Sequence, residues 1–186
     1  MKIVIGVLGE KGSGKETFTT LLRELLPEKE IELVRTSDAM RKTLELWGLP
    51  VIRENYSKLV LEMEKTFGEG TLAKAAHLSV DKSSADIVVV DGIRRLPELD
   101  LVRLFPKNFL IYVTADVKVR FERIVSRGEK SNEKQMSFED FLKEESLPTE
   151  QLISEMGEQA DIKIENNGGL SSFKVKVNDF CSNNLR

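Results

Sequence analysis

Three glycines and two lysines stand together in the segment Gly9-Glu10-Lys11-Gly12-Ser13-Gly14-Lys15. This spacing suits one kind of chemistry, the binding of phosphate groups. Gly9, Gly12 and Gly14 let backbone N–H groups, with that of Ser13 among them, curl around phosphate oxygens. Lys15 adds a full positive charge for the outer phosphates. A helix starting at Lys15 adds the partial positive charge of its N-terminus. A nucleoside triphosphate, ATP, is the expected ligand. The residue after such a lysine is usually Ser or Thr, whose hydroxyl holds Mg2+. Here it is Glu16, and Thr17 follows. Glu16 is either an outer partner of a hydrated Mg2+ or a solvent-facing helix residue.

Further chemistry-bearing residues follow. Ser37-Asp38-Ala39-Met40-Arg41 comes after a short β-branched run. Asp38 suits a helix N-cap, and it also stands where an acceptor-side carboxylate would. Val88-Val89-Val90-Asp91-Gly92-Ile93-Arg94-Arg95 places a carboxylate at the end of an apolar strand, where it can reach a metal through water. Arg94 and Arg95 follow at once; a planar guanidinium fork pairs with two phosphate oxygens. Arg53, before Glu54-Asn55-Tyr56, is a candidate for the acceptor pocket. Arg120, Arg123 and Arg127 recur on one helix face, offset from Val117, Phe121 and Ile124. Like charges clustered in this way want an anion facing them. Arg123 and Arg127 are the preferred pair, next to a polar stretch from Gly128 to Ser137 that reads as a mobile loop.

These residues need elements to position them. Ile3 to Leu8, Ile31 to Arg35, Ile87 to Val90 and Phe109 to Val113 read as strands. Asp161 to Glu165 reads as an edge strand. Helical spacing covers Lys15 to Leu26, a helix capped by Ser37 or Asp38, Glu54 to Phe67, Thr71 to Asp81, Pro97 to Leu104, Val117 to Arg127, and segments after Phe138, Pro148 and Gly169. Trp47 and Phe67 continue apolar helix faces and are expected to pack inward, with shielding of the acceptor base as the alternative for Trp47. Strands alternating with helices imply a parallel sheet covered on both faces. Ligands in such sheets bind at the carboxyl ends of strands.

The order of these motifs resembles the nucleoside monophosphate kinases, adenylate kinases among them. Gly14-Lys15-Glu16-Thr17 is similar to their Gly-Lys-x-Thr loop. Ser37-Asp38-Ala39-Met40-Arg41 is similar to their Gly-Asp-Met-Leu-Arg stretch, and Asp91-Gly92-Ile93-Arg94-Arg95 to their Asp-Gly-x-Pro-Arg. The resemblance implies a P-loop NTPase fold in three α/β/α layers. It implies a parallel five-stranded sheet, a helical acceptor-binding insert at about 38–82 and a short lid at about 128–138, all in one domain over 1–186. It implies that Thr17 contacts the α-phosphate and that phosphates and waters hold most of the Mg2+. Arg41 would grip the acceptor phosphate, with Asp38 near the reacting groups. Arg95 matches the adenylate kinase spacing, whereas archaeal and bacterial kinase-like proteins that carry Asp-Gly-Ile-Arg favour Arg94. The stretch from Ile164 to Gly169, with Asn167, would lie beside the adenine.

The function this implies is ATP-dependent transfer of a phosphoryl group to a nucleoside or deoxynucleoside monophosphate. Lys15, Arg94, Arg123 and Arg127 would stabilise the transfer. Dephospho-CoA kinase-like proteins share the topology this resemblance implies, and in that alternative Asp38 would serve as base for a hydroxyl acceptor. An ATP-binding switch or assembly factor is the remaining alternative. The net charge of −3 over 186 residues lacks the basic excess of a nucleic-acid or membrane binder. No protein partner is required by the motifs. The single cysteine, Cys181, forms no internal disulfide and fits a cytoplasmic setting. The lone histidine, His77, has no companion for a metal site.

Overall fold

The structure, a computed structural model, describes residues 2–128 and 133–185, with the backbone alone at 53, 148 and 149. The chain runs β1 (Ile3–Leu8), α1 (Lys15–Leu25), β2 (Ile31–Arg35), α2 (Asp38–Leu46), α3 (Arg53–Phe67), α4 (Thr71–Lys82), β3 (Ile87–Asp91) and α5 (Leu96–Arg103). It continues through β4 (Asn108–Thr114), α6 (Val117–Arg127), a 3-10 turn (Glu133–Gln135), α7 (Phe138–Glu145), α8 (Pro148–Gly157), β5 (Ile162–Glu165) and α9 (Leu170–Asn184). The five strands form one parallel sheet in the order β2-β3-β1-β4-β5. The expected α/β fold and five-stranded parallel sheet are therefore present, with β5 at an edge.

Side chains alternate across each strand. Ile3, Ile5 and Val7 of β1 point to one face, where Phe18 of α1 and Phe173 and Val177 of α9 cover them. Val4 and Leu8 point to the other face, against Ala76 of α4, Val102 of α5 and Ile153 and Met156 of α8. Every residue of β1 is buried, as a central parallel strand requires. Gly6 has a packing reason: a Cβ there would stand 2.7 Å from Val102 and 2.9 Å from Ile93.

Central β1 lies between β3 and β4. Its following connection leads to β2 on one side, while the connection after β3 leads to β4 on the other. This reversal opens a crevice at the carboxyl ends of the strands. The loops after β1, β2, β3 and β4 all begin there.

Two apolar expectations are corrected. Trp47 is 59% exposed and Phe67 is 64% exposed. Helical spacing from Leu44 leads to Trp47, but α2 ends at Leu46 and the chain turns at Gly48 with φ +67. The periodicity therefore stops before it can carry Trp47 inward. Phe67 is the last residue of α3, and no described side chain of α3 is fully buried. Of the polar stretch from Gly128 to Ser137, residues 129–132 lie outside the described residues, and the next three form the 3-10 turn.

Candidate active site

The loop between β1 and α1 is held by its own glycines and by the strand next to it. Gly9, Gly12 and Gly14 have φ of 155, 80 and 108. A Cβ on Gly9 would stand 2.0 Å from the Val113 carbonyl oxygen of β4, so backbone meets backbone there. Gly14 is the N-cap of α1 and supplies no side-chain cap. The first N–H groups of the helix have no acceptor within the helix and point to the crevice mouth. The Lys15 ammonium donates to the Gly9 carbonyl at 2.6 Å and the Glu10 carbonyl at 2.9 Å. Loss of hydration holds its pKa below the usual lysine value; Asp91, Glu10 and Glu150 oppose that shift and Arg94 adds to it. A desolvated cation whose hydrogen bonds go to its own loop, beside free helix N–H groups, fits the phosphates of ATP.

The cleft around this loop has a volume of about 550 Å3. Glu16 and Thr17 line it, as do Asp91, Arg94, Arg123 and Arg127. Asp91 ends β3, and the Gly92 N–H donates to its Oδ1 at 2.8 Å. Thr36 fastens the neighbouring strand end: its N–H donates to the Asp91 carbonyl at 3.0 Å and its hydroxyl to the Gly92 carbonyl at 2.9 Å. The Asp91 carboxylate thus faces the cleft from a fixed backbone, in a position that suits a water-mediated metal. Glu16 is exposed at the rim, where it suits an outer partner of hydrated Mg2+.

The arginines sort themselves by partner. Arg94 lines the cleft, and its Nη1 donates to Glu150 Oε1 of α8 at 2.7 Å. Arg95 turns away to Glu64 at 2.6 Å and Glu98 at 3.2 Å. Arg41 is tied to Asp38 at 3.1 Å and Glu45 at 3.2 Å, and it is not part of the cleft wall. The hydrogen bond from Arg41 to Asp38 and the nearby Glu45 charge raise the guanidinium pKa further. Asp38 also accepts from the Arg35 N–H at 3.1 Å and stays out of the wall. The Arg53 side chain lies outside the described residues.

The row of arginines on α6 also divides. Arg120 is 6% exposed; it donates to the Ala115 carbonyl at 2.9 Å and pairs with Glu145 of α7. It lies over the Phe141 ring, 5.7 Å from the centroid. Arg123 and Arg127, the preferred pair, both line the cleft. Burial lowers the Arg123 pKa, and its Nη2 donates to the Gly168 carbonyl at 3.0 Å. The 3-10 turn approaches the phosphate loop through Glu133, whose buried carboxylate lies 3.5 Å from Lys11 and 3.8 Å from Arg127.

Several site residues escaped the sequence reading. Arg35 lines the cleft, with its Nε 3.9 Å from Asp91 Oδ2. Glu150 sits at the start of α8, and only the long-range packing of α8 reveals it. Asn166 is 6% exposed, and its amide donates to the Ser13 carbonyl at 2.9 Å. Its neighbour Asn167, the residue expected beside adenine, accepts from the Asp116 N–H at 2.7 Å. Glu10 is 8% exposed, and Tyr112 and Thr114 donate to its Oε1. Ser13 Oγ and Glu10 Oε2 are buried without a hydrogen-bond partner among the described residues. His77 packs on Phe105, with ring centroids 5.1 Å apart, and does not line the cleft. Among the described residues no group of three or more His, Cys, Asp or Glu side chains could hold a metal ion by itself. No helix among them is long and apolar enough to cross a membrane.

Residues 8–142 match the profile of an AAA domain family. The chain belongs to this family. It is 28% identical to a UPF0200 protein of Methanosarcina mazei, over all of this chain and 97% of that one. It is 25% identical to a UPF0200 protein of Saccharolobus solfataricus, over 98% of this chain and 94% of the other. Among solved structures it is similar to the shikimate kinase of Bacteroides thetaiotaomicron, with a TM-score of 0.60 and 12% identity. That match covers 97% of this chain and 98% of the other. Shikimate kinase from Acinetobacter baumannii gives a TM-score of 0.53 at 19% identity, over 100% and 96% of the two chains. At these identities the likeness concerns the fold, which is that of the P-loop kinases.

Proposed function

We propose that this protein is an ATP-dependent phosphotransferase whose acceptor is a nucleoside monophosphate. One observation carries the reading: a single cleft brings Lys15 and the helix N-terminus together with Asp91, Arg94, Arg123 and Arg127. Phosphoryl transfer asks the protein mainly for positioning and for neutralising charge. In this reading the loop from Gly9 to Thr17 cradles the ATP phosphates and Lys15 neutralises the outer ones. Arg123 and Arg127 reach the same phosphates from α6. Asp91 would hold Mg2+ through a water, and the ion would supply screening of the phosphate charge. Arg94 faces the acceptor side. A monophosphate acceptor is already ionised, so no general base is needed.

A hydroxyl acceptor is the second reading, and the position of Asp91 supports it. Its carboxylate faces the cleft close enough to influence Lys15, where a base for a hydroxyl would stand. The likeness to shikimate kinases points the same way. Asp38 is a poor base for that reaction, because the Arg35 N–H and Arg41 already engage it.

The test is transfer of labelled γ-phosphate from ATP to panels of nucleoside monophosphates and of hydroxyl acceptors, including shikimate and dephospho-CoA. Labelled nucleoside diphosphate supports the first reading. Label on a hydroxyl acceptor alone refutes it in favour of the second.

A further inference from the structure

An acceptor phosphate needs a cation that its own carboxylates have not already satisfied. Arg41 and Arg95 do not meet that need, since each is held by two carboxylates. Arg94 faces the cleft, but Glu150 engages it at 2.7 Å. Arg35 is different. Its side chain is 47% exposed in the cleft wall. Its contact with Asp91, at 3.9 Å, is too long for a hydrogen bond. An ion pair this long, open to solvent on the arginine side, holds the guanidinium only weakly.

The root of Arg35 is nevertheless rigid. It ends β2 in register with Asp91 of β3. Its N–H donates to Asp38 at 3.1 Å, and the next residue donates its N–H to the Asp91 carbonyl. A fixed backbone thus presents a guanidinium fork free to take two oxygens of one ligand. Ser37 lines the cleft from the same connection.

We propose that Arg35, rather than Arg41, is the residue of the β2 side that grips the anionic group of the acceptor. This rests on the phosphotransferase reading above. It also gives Asp38 and Arg41 a different task. Asp38 holds the start of α2 against Arg35, and Arg41 neutralises Asp38 and Glu45. The acceptor class is one that carries a phosphate monoester, which meets Arg35 on one side and Arg94 on the other.

The experiment compares wild type with R35A, R35K and R41A, using AMP, GMP, CMP and UMP as acceptors. For the best acceptor, R35A is expected to raise the acceptor KM about tenfold or more, the loss of one charge-assisted contact. The ATP KM and the urea midpoint should stay near wild type. R35K should recover part of the loss, since it keeps the charge without the fork. R41A should leave the acceptor KM close to wild type. An unchanged acceptor KM in R35A overturns the assignment, and so does a larger effect in R41A. A purely structural role would lower the urea midpoint and raise both KM values together. If wild type transfers phosphate to none of the four, the monophosphate kinase reading fails. Arg35 is then judged by calorimetric binding of the same four nucleotides in the presence of ADP. Equal affinity in wild type and R35A, or no binding to wild type, overturns the proposal.

Discussion

Replacing Asn166 with alanine should loosen the phosphate loop through a direct contact from a residue distant in sequence. The Asn166 amide donates to the Ser13 carbonyl at 2.9 Å in a buried setting. In N166A that carbonyl keeps its burial and loses its donor. A buried polar group left unsatisfied costs about 1–3 kcal/mol, so about 2 kcal/mol is expected. N166D keeps the shape but points an oxygen at an oxygen, and should cost about 3 kcal/mol or more, since the lost donor is replaced by a charge. The control is N167A. Asn167 accepts one bond from the Asp116 N–H in an exposed setting, so its loss should cost about 1 kcal/mol or less. Urea unfolding of the nucleotide-free protein gives the three values. Calorimetry with ATP gives the functional side: N166A should bind about tenfold more weakly, near 1.4 kcal/mol, because its loop must be ordered on binding. If N167A destabilises as much as N166A, or if N166A binds ATP normally, the reasoning that the 164–169 segment supports the loop through Asn166 is wrong.

Other predictions follow from the same contacts. R120A should destabilise by about 3–5 kcal/mol in urea unfolding, because it leaves Glu145 without its buried partner. R123A, on the cleft side of the same helix, should instead weaken ATP binding by calorimetry while changing stability by about 1 kcal/mol or less. Y112F should cost about 1–3 kcal/mol, since it removes a donor from the buried Glu10 carboxylate. Lys15 makes a pH prediction. Its folded pKa lies below the unfolded value of 10.5. Between those two values the unfolded chain binds more protons, so Lys15 makes stability rise with pH over that window. The stability difference between wild type and K15M, measured by urea unfolding at alkaline pH, should therefore shift in favour of wild type as pH rises towards 10.5. K15M should also lose ATP binding while staying folded at neutral pH.

Much of this arrangement was legible in the residues because the signals are local. The phosphate loop lies within a few consecutive residues, and its glycines, lysine and helix start are written in order. The strands announced themselves as short β-branched runs, and their alternation with helices implies the parallel sheet. Arg123 and Arg127 followed from helical spacing. What could not be read was the choice among neighbours. Whether Arg94 or Arg95 faces the cleft depends on Glu64, Glu98 and Glu150, which come from α3, α5 and α8. Arg41 looked free until Asp38 and Glu45 claimed it. Asn166 and Asn167 are adjacent and alike, and only the approach of Ser13 separates their tasks. Arg120 belonged to the same periodic row as Arg123, but α7 covers it. The Arg41 pairs and the Arg95–Glu98 pair lie within one or two helical turns, and the other choices are made by contacts between residues distant in sequence.

The most direct test of the central claim is a structure with a bisubstrate analogue, two nucleosides joined by a chain of phosphates. One nucleoside should have its phosphates on the loop from Gly9 to Thr17 with Lys15 against them. The other should extend past Asp91 towards Arg35 and Arg94. An analogue bound with its second nucleoside outside the cleft, or bound without its phosphates on that loop, would contradict the account.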